Sequence, residues 1–476
     1  MGQEIDKAEF SADDFAQFHC RLQEEMNLLR ELFDSNAFSS GHGVGGYELE
    51  AWLVDQDANA APVNQQFIER LNNPLVVHEL SRFNVELNSS PHKLMGRALS
   101  QMQAEMTELW HSCNEAASTM NTRLVMMGTL PVLDDAQLTL ANMSEVERYR
   151  ALNEQVLKLR RGKPIQLDIK GRDHLQTRHY DVMLEAAATS FQIHLQVSPE
   201  QSVRYYNASL LASLPLLAVA ANSPFLFGKD LWDESRIPLF EQAVNTDSEG
   251  MAGHTGRSRV TFGHDWCKQS VLELYEENID LYPVLLPTLS DADKEYLWHL
   301  RLHNGTIWRW NRPLIGIDES GHHLRIEQRV IPSGPTIVDM IANAAFYFGL
   351  ITTMANEQTA PESLVDFKEV KEDFYGVARH GLRTSIHWPG RGLVEVRELI
   401  LEELLPAARQ GLTALAIHQS DIDYYLAIIQ GRAESAQNGA GWQRSYLRHH
   451  GCSMRELTEA YISNQESLLP VHKWQI

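Results

Sequence analysis

Polar and apolar positions alternate with period two along residues 46–54, 189–197 and 324–330, and each stretch predicts a β-strand with two unlike faces. In the first, Leu49, Ala51 and Leu53 back Glu48 and Glu50. In the second, Phe191, Ile193, Leu195 and Val197 back Ser190, Gln192, His194 and Gln196. In the third, Leu324, Ile326, Gln328 and Val330 back Arg325, Glu327 and Arg329. Shorter strands are predicted at 75–80, 83–88, 123–129, 383–387 and 394–399. Helical spacing predicts a helix over 12–33, with apolar Phe15, Phe18, Leu22, Met26, Leu29 and Phe33 and with Ser11 as its N-cap. Further helices are predicted over 95–120, 144–161, 203–221 and 336–355, and the chain reads as helical throughout from Leu401.

Strand pairs interleaved with long helices predict an α+β protein, a large and mostly antiparallel sheet with helices on one side. A catalytic domain over 1–400 and a helical C-terminal extension over 401–476, packed on it, are the expected organisation. Residues 247–258 (DSEGMAGHTGRS) are polar and glycine-rich, so a loop is expected there, able to close over a nucleotide as a mobile lid.

The polar faces carry the chemistry. A solvated sheet face more usually carries Thr, Lys and Ser, whereas Glu, Gln, His and Arg suit hard cations and the phosphates they hold. Glu48 and Glu50 stand about 7 Å apart along one face. Two carboxylates so close repel and call for a counter-ion, and Mg²⁺ takes one or two carboxylates together with substrate phosphates. An ordinary polar strand face is the plainer alternative. Glu79 and Glu86 add two carboxylates on the next strands, where Asn84, Glu86 and Asn88 share a face. His194, between Gln192 and Gln196, is either a structural hydrogen-bond partner or a metal ligand. Arg325, Glu327 and Arg329 are either a cross-strand ion-pair ladder or a ligand flanked by two forked donors for phosphate or carboxylate. Arg236 could hold a substrate carboxylate or pair with Glu234.

Charge and composition narrow the partners. The 476 residues are 43% hydrophobic, enough for a sizeable core. A net charge of −22 argues against a nucleic-acid-binding chain. The four cysteines (Cys20, Cys113, Cys267, Cys452) show no C-x-x-C spacing, which points to a reducing, cytoplasmic setting. The N-terminus lacks a signal-peptide apolar core, and the longest apolar run, 210–221, contains Pro215 and falls short of the ~20 residues of a membrane span. An exposed helical tail is a candidate surface for a homo-oligomer. Phosphate-loop, nucleophile-elbow, H-E-x-x-H and dinucleotide signatures do not occur.

Six stretches taken in order resemble the carboxylate–amine ligases of the second glutamate–cysteine ligase family. They are GYELEAWLVD (46–55), HEL with FNVELNSSP (78–91), RY (148–149), TSFQIHLQV (189–197), ANSPFLFGKDLWDESR (221–236) and HLRIEQRVIPSGPT (323–336). The resemblance spans roughly 40–400 and implies the glutamine synthetase/guanidino kinase-like fold, a curved sheet whose concave face holds ATP and divalent metal. By matched position it implies that Glu48, Glu50, Glu79, Glu86, His194 and Glu327 ligate Mg²⁺ (or Mn²⁺). It implies that Arg329 touches the transferring phosphoryl group and that Arg236 holds an amino-acid carboxylate. Arg325, Gln192, Ser190 and Asn88 are the remaining candidates for binding substrate or ATP. The implied reaction phosphorylates a carboxylate with ATP and displaces phosphate with an amine, glutamate and cysteine being the default pair, as in glutathione biosynthesis. The alternatives are a different carboxylate–amine pair, a phosphagen-type kinase, or a catalytically silent ATP- and metal-binding homologue. Replacing Glu48 or Glu327 by alanine is expected to remove catalysis with little loss of fold, because like charges cluster there.

Overall fold

The computed structural model describes residues 5, 7–39, 43–246, 258–319 and 321–476. Eight strands form the main sheet: β1 (Val44–Asp55), β2 (Val76–His78), β3 (Asn84–Asn88), β4 (His92–Lys93), β5 (Thr122–Val125), β6 (Phe191–Val197), β7 (Asn311–Asp318) and β8 (Gly321–Gln328). The order across the sheet is β7-β8-β6-β1-β3-β2, and β4 and β5 pair with the two ends of β1. Every one of these pairings is antiparallel. The sheet curls into a half-barrel, in keeping with strand twist accumulating across it.

The convex, apolar face is the core. Leu49, Ala51 and Leu53 of β1, Phe191, Ile193 and Leu195 of β6, and Leu324 and Ile326 of β8 are all buried. The helices Ser202–Ala220 and Ile337–Ala355 cover them. Ile337–Ala355 is, among the described residues, the one helix long and apolar enough to cross a membrane, but 94% of its apolar window is buried inside the protein. Its central Gly349 meets Gly411 of the helix Leu405–Ala414 so closely that a Cβ on either would strike the other's backbone carbonyl or its helix. The C-terminal helices continue this layer. Arg432 of Gln419–Ser435 is buried against Asp339 at 2.8 Å, and Gln465 and Tyr461 of Met454–Glu466 bond the backbone of Met126.

The helix Ala12–Asp34 begins where expected, with Ser11 and Asp14 forming a capping box. Three expectations are corrected. The strand expected over 123–129 ends at Val125, because the next backbone groups are taken by side chains: Met126 N–H donates to Gln465, and Met127 C=O accepts from Trp52 and Thr189. The strand expected over 394–399 stops at Glu395, and Val396–Leu399 is helical, burying Val396 and Leu399. β7 and the hairpin Ile165–Lys170/His174–His179 have no counterpart in the predicted strands. Residues 247–257 of the expected lid lie outside the described residues.

Candidate active site

Strand register sorts the polar side chains of the concave face into three neighbouring rows. In the first, Glu86 of β3 faces Glu50 of β1, whose backbone N–H donates to Ser190 C=O just before β6. In the second, Asn88, Glu48 and Gln192 lie abreast. In the third, His194 of β6 faces Glu327 of β8, which in turn faces Arg312 of β7. Glu79 follows β2 directly and joins the first row, its carboxylate anchored by the backbone N–H of Leu80 at 3.0 Å.

The six expected ligands therefore divide into two triads, Glu50/Glu79/Glu86 and Glu48/His194/Glu327. Within each, one ligand atom per residue lies within 4.8 Å of the others. The first triad offers oxygen alone, the donor set of a hard cation, and the second adds one imidazole nitrogen. Among the described residues neither ring nitrogen of His194 makes a hydrogen bond of good geometry, and its Nε2 stands within ion-pair distance of Glu48 at 3.3 Å and of Glu327 at 4.0 Å. A buried imidazole left unbonded between two carboxylates fits a metal ligand better than a structural histidine.

The two triads differ in charge balance. In the first, burial pushes the carboxyls of Glu50, Glu79 and Glu86 above their ordinary range. Mutual repulsion reinforces this, Glu79 feeling Glu50 and Glu86. Glu50 stays raised although it accepts from Ser190 N–H (2.7 Å), Ser190 Oγ (2.8 Å) and Gln192 Nε2 (2.9 Å). Glu327 goes the other way. Burial alone would raise its carboxyl, but Arg312, Arg329 and His194 hold it down at about 2. The like-charge cluster expected around Glu327 is thus corrected: it is an ion-pair centre.

The expected substrate-binding side chains are largely engaged with these carboxylates. Ser190 and Gln192 hold Glu50, and Asn88 Nδ2 donates to Glu86 at 3.0 Å. Arg329 lies just past β8. It donates to Glu327 at 3.1 Å and to the side-chain amide oxygen of Gln192, and its Nε has no partner among the described residues. Arg236 opens the helix Arg236–Ala243 and pairs with Glu234 at 3.2 Å. It also donates to Val330 C=O, and its Nε is buried without a partner among the described residues. Gly128 makes room for it, since a Cβ there would meet the Arg236 side chain. Arg325 faces the same concave surface from the next row of β8, opposite Gln196.

Two cavities flank the triads. The larger, about 490 Å³, is lined by the five carboxylates of the two triads, Arg312, Arg325 and an apolar wall containing Ile68, Val76, Val146 and Leu152. The smaller, about 50 Å³, is bounded by Arg236, Ser190, Phe240 and Trp310. The residues that sequence reasoning passed over are Arg312, Glu185 and Trp310. Arg148 and Tyr149, present only within a matched stretch, line the larger cavity, where Tyr149 OH donates to His78 C=O at 3.1 Å.

The profile of glutamate–cysteine ligase family 2 matches residues 44–461. Among solved structures the fold is similar to a glutamate–cysteine ligase from Francisella tularensis in complex with AMP. That likeness has a TM-score of 0.56 at 13% identity and covers 92% of this chain and 96% of that one. It is also similar to a bifunctional glutathione synthetase from Pasteurella multocida, with a TM-score of 0.54 at 13% identity, over 94% of this chain and 55% of that longer one. No curated protein sequence matches the chain.

Proposed function

The chain belongs to glutamate–cysteine ligase family 2 and is a carboxylate–amine ligase, and on that premise we propose that it uses ATP and Mg²⁺ to join the γ-carboxylate of glutamate to an amine, with cysteine as the default acceptor. The observation that carries the reading is the pair of ligand triads on adjoining rows, with Arg329 at the boundary between the two cavities. The nucleotide in the similar Francisella ligase supports ATP as co-substrate.

Glu50, Glu79 and Glu86 would hold one divalent cation, and Glu48, His194 and Glu327 a second. Bound there, such cations neutralise the non-bridging oxygens of a triphosphate. The protein's own part is positioning and charge. Arg329 donates to the phosphoryl group as it passes to the substrate carboxylate, and that transfer leaves an acyl phosphate. Arg312 keeps Glu327 ionised and aimed. Ser190, Gln192 and Asn88 fix Glu50 and Glu86 for the cation. The free Nε edge of Arg236 would take a carboxylate of the amino acid in the smaller cavity, and Arg325 a phosphate in the larger. Phosphoryl transfer calls for this division of labour, because its barrier falls by alignment and charge neutralisation rather than by a covalent nucleophile.

The test is phosphate release from ATP with Mg²⁺ and L-glutamate, scanned over single amine acceptors, with the product identified by mass. Cysteine-dependent release with a γ-glutamylcysteine product supports the pair. Release with another acceptor reassigns the amine, and no release with L-glutamate and any acceptor overturns glutamate as the carboxylate.

A further inference from the structure

Four side chains line both cavities: Glu50, Glu79, Glu185 and Arg329. They form the wall across which a phosphoryl group would travel from nucleotide to carboxylate. Three of them are accounted for, Glu50 and Glu79 in a ligand triad and Arg329 on the phosphoryl group. Glu185 belongs to neither triad, and its Oε2 is buried with no hydrogen-bond partner among the described residues.

The segment that carries it is fixed. Glu185 sits in the short 3-10 turn Met183–Ala187, whose Met183, Leu184, Ala186 and Ala187 are all buried. Its backbone N–H donates to Val182 C=O at 3.1 Å, and Ala186 and Ala188, which follow it, line the smaller cavity. A carboxylate with Arg329 and Arg148 near it but with one oxygen unbonded, held on a short turn at the reacting wall, has room for a cation that arrives with the substrates.

On the ligase reading above, we propose that Glu185 binds the ammonium group of the incoming amine beside the acyl carbon and takes one of its protons, so that the freed nitrogen lone pair forms the C–N bond as the acyl C–O bond breaks and phosphate leaves with the second N–H proton. The position fits. The acyl phosphate forms at the shared wall, and the amine must approach that same carbon. The charge fits as well. Burial, with repulsion from Glu50, pushes the Glu185 carboxyl up to about 7, and a neighbouring ammonium is the charge that relieves both. Glu185 is therefore an acceptor-binding residue, and the class of acceptor it selects is a primary amine carried as a cation.

The test compares nucleophiles that differ in charge. Hydroxylamine is uncharged near neutral pH and traps acyl phosphates as hydroxamates, whereas L-cysteine and methylamine arrive as ammonium ions. With Mg²⁺, ATP and L-glutamate, Glu185→Gln should lose about 100-fold in kcat/KM for the cationic amines relative to hydroxylamine, the loss expected on removing one partner of a buried charge pair. Glu185→Asp should restore part of that ratio. Equal loss for both nucleophile classes, no loss for either, or a wild-type enzyme that uses hydroxylamine but neither cation overturns the assignment. A wild-type enzyme that forms no hydroxamate overturns L-glutamate as the activated carboxylate instead, so the two failures are distinct.

Discussion

Arg312 and Glu327 face each other across neighbouring strands and meet through two parallel bonds, Nε to Oε2 at 2.8 Å and Nη2 to Oε1 at 3.1 Å. Arg329 adds a third bond to the same carboxylate at 3.1 Å. A fork of this kind fixes both the charge and the plane of the carboxylate. It makes the second triad a charge-compensated site beside a first triad whose carboxylates are held in place but not compensated.

Removing Arg312 should therefore injure both fold and chemistry. Arg312→Met leaves Glu327 buried with half its compensation, and the metal-free protein should lose about 3 kcal/mol of unfolding free energy in urea. Turnover should fall at least ~100-fold, because Glu327 is no longer aimed. An unchanged urea midpoint contradicts the account of the second triad.

The first triad predicts the opposite sign. Glu79 is half-buried between Glu50 and Glu86, and the Leu80 N–H donates to it. Glu79→Gln removes a repelled charge, so the metal-free protein should melt at the same temperature as wild type or higher. Mg²⁺-dependent turnover should nonetheless drop by ~100-fold or more. A variant that is destabilised without metal, or fully active with it, refutes the claim that this triad awaits a cation.

Stability should also depend on pH in a definite direction. The Glu185 carboxyl is raised from 4.5 to about 7, so between those values the folded protein binds a proton that the unfolded chain does not. The stability it contributes is fully present below 4.5 and is lost as pH rises through about 7. The upward shifts of Glu79, Glu50 and Glu86 act in the same direction. Metal-free wild type should therefore lose more melting temperature between pH 5 and pH 8 than Glu185→Gln does. Identical pH profiles for the two proteins contradict the assigned shift.

The donor sets predict how many metal ions bind and which residues hold each. Mn²⁺, which accepts both oxygen and imidazole ligands, should bind two ions per chain as read by electron paramagnetic resonance titration. His194→Ala should weaken one of them and leave the all-oxygen site intact. Loss of both ions together, or of neither, would mean that the triads are not separate sites.

What the sequence revealed and what it hid follow from the range of each interaction. Glu48, Glu50, His194, Glu327 and Arg329 were legible because period-two alternation is local and puts them on one face of a strand. Their division into two triads was not, since it depends on Glu50 lying opposite Glu86 and on His194 lying opposite Glu327 across strands far apart in the chain. Arg312 was hidden because β7 contains Pro313 and Gly316, residues that weaken any strand signal. Glu185 lies in a 3-10 turn with no periodicity to read. The mistaken sign at Glu327 has the same origin: the carboxylates were visible, but the arginine opposite was not.

The central claim is that the carboxylate substrate is activated by phosphorylation. The most direct test is to supply L-glutamate labelled with ¹⁸O in its γ-carboxylate, with ATP, Mg²⁺ and the best acceptor, and to weigh the phosphate released. Label carried from glutamate into phosphate, in step with amide formation, is the predicted result, because the oxygen that attacks the phosphorus leaves with it. Amide formed while the phosphate stays unlabelled would contradict the account.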